Sequence, residues 1–236
     1  MKIGILKCGQ SPASLRASYG DYDDMFVKLL ADGTTRFTRF HVAQMDFPAD
    51  VHAAEAWIIT GSPCGVYEAH PFIPLLETFI RRAFAAQVPV IGICFGHQIV
   101  AQAMGGKVER YSGGWSIGPV DYAFGDRQVT LNAWHQDQVI VRPTGATLIA
   151  SGPNCENAAL QYETLALTLQ PHPEFTTGFV AAKMRAVPSG VLPDSVTARA
   201  HRALDRPVNE DFGARTLRDF LRNADQSPQR RPVLCP

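Results

Sequence analysis

Within the first hundred residues, short apolar runs alternate with stretches whose apolar residues recur at helical spacing, and few folds accept that order. Residues 2–7 carry two isoleucines and predict a short buried strand. Residues 9–20, rich in Gly, Ser and Pro, predict a loop. Residues 21–31 bring Met25, Phe26, Leu29 and Leu30 to one helical face behind aspartates suited to a helix N-terminus, and Gly33 ends the helix. Residues 35–42 alternate as a second strand, and residues 56–60 form a third, followed by the turn GSPCG. Residues 74–86 predict a helix with Pro74 in its first turn and Leu75, Leu76, Phe79, Ile80 and Phe84 on one side. Residues 88–93 predict a fourth strand, which runs almost directly into a helix closed by Gly105 and Gly106. This order implies parallel strands, right-handed crossovers and helices on both faces. Reactive groups in such sheets collect beyond the carboxyl ends of the strands. Two turns leave from there, one after the third strand and one after the fourth.

From 107 to 170, short β-rich runs split by Gly, Pro and Asn predict hairpins added to the main sheet. Beyond 174 the chain turns helical, over 174–187, 195–204 and 210–222. The expected class is α/β: a mostly parallel central sheet flanked by helices, with added β-hairpins. No repeat or linker interrupts the chain, so one domain over 1–236 is expected, with 175–236 a helical extension packed on it. The 22 Lys and Arg match 22 Asp and Glu, and the pair Arg230 and Arg231 does not grow into a basic patch. Nucleic acid is therefore not the expected partner. No run approaches the roughly 18 apolar residues of a membrane span, and the N-terminus lacks the apolar core of a secretory signal. Five cysteines without close pairing speak against a disulfide framework or a zinc site. The expectation is a cytoplasmic protein with neither metal nor organic cofactor.

The stretch PVIGICFGHQ, residues 89–98, raises the chemical question. A nucleophile on a tight strand-to-helix turn thrusts its side chain out of the sheet, and small residues two before and two after relieve the crowding. Gly92 and Gly96 occupy those places around Cys94. A helix starting near residue 95 aims free N–H groups and its positive end at the sulfur, which favours the thiolate. The plainer alternative is a buried structural cysteine between incidental glycines. A cysteine nucleophile needs a base. Among seven histidines, His172 arrives at the end of an apolar strand between two prolines, with Glu174 two residues on to orient its ring. His97, three residues after Cys94, is the rival, but on a helix it points along the flank, and it reads as structural.

GICFGHQ at 92–98 and HPE at 172–174, in this order and separation, resemble the class I glutamine amidotransferase domain, and the GSP turn at 61–63 resembles its oxyanion loop. Residues 50 to 175 or so carry that resemblance. YGDYDDMF at 19–26, GVYE at 65–68, YSGGWSIGP at 111–119 and AWHQDQV at 133–139 are similar to the stand-alone branch, which includes γ-glutamyl peptidases and proteins akin to the glutaminase part of GMP synthase. The resemblance implies a flavodoxin-like fold, Cys94 as nucleophile, His172 as base and Glu174 as its orienting partner. It puts the oxyanion hole on the backbone N–H groups of Ser62 and Phe95. It gives Gln98, Trp134, Gln136 and Asp137 contacts to the α-amino-acid end of the substrate. Ser62 stands where glycine is common in the family, and Cys64 is unusual there.

The function so implied is hydrolysis of a γ-glutamyl amide, in glutamine or a γ-glutamyl conjugate, through a γ-glutamyl thioester. One alternative is a glutaminase subunit that feeds ammonia to a separate synthetase. The chain holds no phosphate-binding glycine loop of its own for a synthetase. A second alternative is a non-catalytic redox-sensing cysteine protein, which has no use for an oriented base. Tyr19, Tyr67, Tyr111 and Trp115 are candidates for an aromatic entrance on the leaving-group side.

Overall fold

A computed structural model describes residues 1–225; Arg230, Arg231 and Cys235 lie outside the described residues. β1 (Lys2–Leu6), β2 (Arg36–Phe40), β3 (Ala56–Ile59) and β4 (Val90–Ile93) are parallel neighbours in the order β2-β1-β3-β4. From 107 onward the chain adds β5 (Lys107–Arg110), β6 (Ser116–Phe124), β7 (Arg127–His135), β8 (Asp137–Val141), β9 (Thr147–Gly152), β10 (Cys155–Tyr162) and β11 (Ala166–Leu169). β11 returns to pair parallel with β4, and β10, β9, β6 and β7 continue antiparallel beyond it, completing a nine-stranded sheet. β5 and β8 pair separately. The predicted hairpins thus lengthen the sheet, and the five parallel strands have the flavodoxin-like order. β3, β4 and β11 read AWII, VIGI and ALTL and are buried at every position, as strands covered on both faces must be.

α1 (Ala13–Tyr19), α2 (Tyr22–Leu30), α3 (Phe72–Ala85), α4 (Phe95–Ala103), α5 (Thr177–Ala186), α6 (Asp194–Ala203) and α7 (Glu210–Asp225) complete the fold. α3 and α4 cover one face, over a cluster that includes Trp57, Leu76, Phe79, Ile80, Phe95 and Ile99. α2 and α7 cover the other, where Phe26, Leu217 and Phe220 meet Ile5, Ile58, Ile91 and Leu167. Burying each such side chain stabilises the fold by about 1.5–3 kcal/mol. A third cluster joins α5 and α6 to Ile117 and Tyr22 through Phe175, Phe179 and Val196. No helix among the described residues is long and apolar enough to cross a membrane.

Two local expectations need correction. Residues 13–19, expected as loop, form α1, which starts after Pro12 and stops at Gly20 with φ +81°. None of its residues is buried, so it carries no apolar stripe for the sequence to display. α3 begins at Phe72, and its buried face runs through Phe72, Ile73, Leu76, Phe79, Ile80, Ala83 and Phe84. Leu75 falls off that face and is 47% exposed. α2 starts as its aspartates suggest: Asp21 accepts from Tyr22 N, and Asp24 accepts from Asp21 N, closing a capping box. Asp21 also pairs with the buried Lys7 at 2.6 Å, tying α2 to the end of β1.

Candidate active site

Cys94 sits where β4 ends and α4 begins, with φ +54° and ψ −103°. A non-glycine residue held there costs about 1–3 kcal/mol and persists only where its surroundings impose it. The glycines at either side explain how the turn closes. A Cβ on Gly92 would lie 2.4 Å from Gly96 O, and one on Gly96 would lie 2.2 Å from Ile59 O. The chain passes too close to itself for any side chain at either position. The first intrahelical bond of α4 runs from Gln98 N to Cys94 O at 3.0 Å, so the Phe95 N–H precedes it and stays free of the helix ladder.

Strand register brings His172 to the same place. Leu169 of β11 pairs with Ile93 of β4, and Cys94 N donates to Leu169 O at 2.8 Å. Three residues on, His172 N donates to Asn132 O at 2.8 Å, fastening the turn to β7. The imidazole stacks on Phe175 with centroids 3.9 Å apart and planes 3° from parallel. Its Nδ1 meets Glu174 Oε1 at 2.7 Å, and its buried Nε2 has no hydrogen-bond partner. A Cβ on Gly61 would touch His172 Cε1 at 3.2 Å and Cys94 Cβ at 3.9 Å. Ring and thiol therefore converge on one glycine of the loop after β3. Burial alone would push His172 down; the Glu174 carboxylate, then the Cys94 sulfur, reverse this and raise its pKa to about 9. The Cys94 thiol lies 3.8 Å from Trp134 O.

Cys94 opens into a cleft of about 560 Å³ that also meets Ser62, Gln98, Trp134, Gln136 and Asp137. The Ser62 hydroxyl lies 3.0 Å from Cys64 Sγ, leaving its backbone N–H out of that contact. Gln98 is almost wholly buried, and its Nε2 donates to Asp137 O at 2.8 Å and Gln170 Oε1 at 3.0 Å. Its amide N–H groups hold the cleft wall, so they are not free for a ligand. Gln136 O accepts from Tyr111 N at 3.0 Å. Asp137 accepts from Tyr67 Oη at 3.1 Å, and burial pushes its carboxyl above the ordinary value. His97 is fully buried and bonded to Thr168 Oγ1 at 2.8 Å, burial holds its pKa near 4, and it is not among the residues that line the cleft. Of the four aromatics considered for the entrance, Tyr67 and Trp115 line the cleft. Tyr19 packs edge-on against Phe179.

Two charged cleft residues, Arg110 and Lys183, escaped the sequence reasoning, and Tyr22 and His135 stood inside quoted motifs without a role assigned to them. Lys183 stands 11 residues beyond His172 on a helix of weak amphipathic character, with no neighbouring motif to mark it. His135 is buried, and that burial, then the nearby His172, holds its pKa near 3.

The family model for class-I glutamine amidotransferases matches residues 20–184. The chain belongs to the class-I glutamine amidotransferase family. A glutamine amidotransferase-like protein of Schizosaccharomyces pombe is 28% identical over 242 residues, covering 93% of this chain and 98% of that one. Gamma-glutamyl peptidase 4 of Arabidopsis thaliana is 30% identical over 177 residues, covering 68% of this chain and 70% of the peptidase. GMP synthases are also among the relatives. The fold matches a crystal structure of a glutamine amidotransferase from Methylobacillus flagellatus with TM-score 0.74 and 23% identity, over 95% of this chain and 92% of that one. The family match begins at Gly20, in the loop before α2, and ends within α5.

Proposed function

We propose that this protein hydrolyses a γ-glutamyl amide, in glutamine or a γ-glutamyl conjugate, with Cys94, His172 and Glu174 as its catalytic triad. The convergence of Cys94 and a Glu174-bound His172 on Gly61 carries the reading. In the first half-reaction, the Cys94 sulfur attacks the γ-carbonyl carbon after its proton has passed to His172 Nε2, the ring nitrogen that Glu174 leaves open to the thiol. The N–H groups of Ser62 and Phe95 receive the developing oxyanion; losing one such donor typically costs about 10²–10³ in rate. His172 returns the proton to the departing amine as the C–N bond breaks, leaving a γ-glutamyl thioester. Water, deprotonated by the same imidazole, then attacks the thioester and releases glutamate and the free thiol. Glu174 keeps Nδ1 protonated and faces the imidazolium that forms in both halves. Asp137, with Arg110 nearby in the same cleft, suits the ammonium and carboxylate of the glutamyl end.

Incubation with γ-glutamyl substrates followed by acid quench and mass spectrometry tests this. A glutamyl adduct on Cys94 is expected, with loss of turnover by at least about 10³-fold in Cys94→Ala. Near wild-type hydrolysis by that variant contradicts the assignment, and a Cys94 found only in oxidised form points to a redox sensor. The GMP synthases among the relatives favour one further reading, a glutaminase subunit that serves a separate synthetase. Brisk turnover by the isolated chain speaks for the stand-alone hydrolase; sluggish turnover that rises on adding a synthetase speaks for the subunit.

A further inference from the structure

Lys183 lines the same cleft as Cys94 and has no part in the proposed mechanism. Its Nζ donates to Tyr22 Oη at 3.0 Å and sits 4.3 Å from the centre of the Trp134 ring, with the rings of Tyr22 and Phe175 at 5.4 and 5.2 Å. An ammonium has three N–H donors. One is engaged here, and no carboxylate stands within ion-pair distance among the described residues. Desolvating a cation without a counter-ion is unfavourable. Burial accordingly lowers Lys183 to about 8, against the opposing pull of Cys94 and Glu174. Three aromatic faces return part of the lost hydration but supply no charge.

The rest of the cleft has its charges in place. Asp137 has Glu68 and Arg110 as its charged neighbours and accepts from Tyr67. Lys183 has Cys94 and Glu174 instead. The cleft thus holds two cations with different charged neighbours, Arg110 by Asp137 and Lys183 by the thiol and Glu174. A zwitterionic glutamyl end placed against Asp137 and Arg110 occupies one cation and leaves Lys183, which has no ion-pair partner among the described residues, for a second anionic group of the substrate. Val187, Val191 and Leu192 also line the cleft.

Resting on the hydrolase reading, we propose that Lys183 is the specificity-determining cation of the cleft, pairing with a carboxylate on the amine half of the substrate. The favoured substrates are then γ-glutamyl amides of amino acids or peptides, and glutamine, whose leaving group is neutral ammonia, is disfavoured. The substrate's carboxylate supplies the counter-ion that the fold omits.

The test compares γ-glutamylglycine with γ-glutamylethylamide, which differ at the carboxylate, on the full-length chain. Wild type should prefer the acidic substrate in kcat/KM by about 10–100-fold, the worth of one charge-assisted hydrogen bond. In Lys183→Met that ratio should collapse toward unity through a raised KM for the acidic substrate, and Lys183→Arg should restore most of it. Equal kcat/KM for the two substrates in wild type overturns the proposal without any variant, as does an unchanged ratio in Lys183→Met. Hydrolysis of the neutral substrate by wild type keeps the hydrolase reading intact in either case. A wild type inert toward both, with no glutamyl adduct on Cys94, overturns the hydrolase reading and this proposal with it.

Discussion

Glu174 and His172 form the buried pair on which the proposed chemistry turns, and their roles predict unequal losses. His172→Ala removes the proton carrier, whereas Glu174→Gln leaves the ring in place with a weaker partner. The glutamate variant should retain about a hundredfold more kcat, the kind of gap separating base from orienting residue in hydrolytic triads. Equal residual rates would contradict the division of roles. The same pair has a pH signature. His172 rises from 6.5 to about 9 in the folded chain, so the folded state keeps a proton that the unfolded state sheds across that interval. Its contribution to stability is complete below pH 6.5 and is lost as pH climbs through about 9. Thermal midpoints between those limits should fall more steeply for wild type than for His172→Gln, and parallel slopes would refute the linkage. His172 and Glu174 were legible because they are two residues apart, near enough for one motif to show. Gln98 was legible as a residue but not in its bonding, because its partners Asp137 and Gln170 are distant in sequence.

The turn from β4 into α4 is a steric construction. Its geometry predicts that Gly96→Ala will cost more than about 2 kcal/mol, since the new methyl would meet backbone and not a yielding side chain. Gly145→Ala, at φ +87° with open space around it, should cost only about 1 kcal/mol. Urea midpoints of the two variants check the contrast; similar losses would mean the elbow is less crowded than it is drawn. Most strands and long helices could be anticipated because their apolar periods state which face is buried. α1 could not, because a helix that buries no residue has no such period.

Across the whole fold, α7 closes one face of the sheet by setting Leu217, fully buried, among residues of β1, β3, β4 and β11. Packing that joins α7 to the first strand should make 1–225 unfold as one unit. Leu217→Ala should cost about 2–5 kcal/mol and shift the far-UV and near-UV circular dichroism transitions together. Separation of the two transitions would show that the C-terminal helices melt by themselves.

The α/β layering, the strand-to-helix turn at Cys94 and the pairing of His172 with Glu174 were all determined by the sequence, since each is encoded within a few neighbouring residues as a period, a steric demand for glycine or a short motif. The walls of the cleft were decided by tertiary structure. Lys183 and Tyr22 touch across 161 positions, a meeting that arises from strand order and helix packing. A lysine in a sequence looks the same whether its charge stands in open solvent or half-buried against three rings; only the packed fold brings those rings to it.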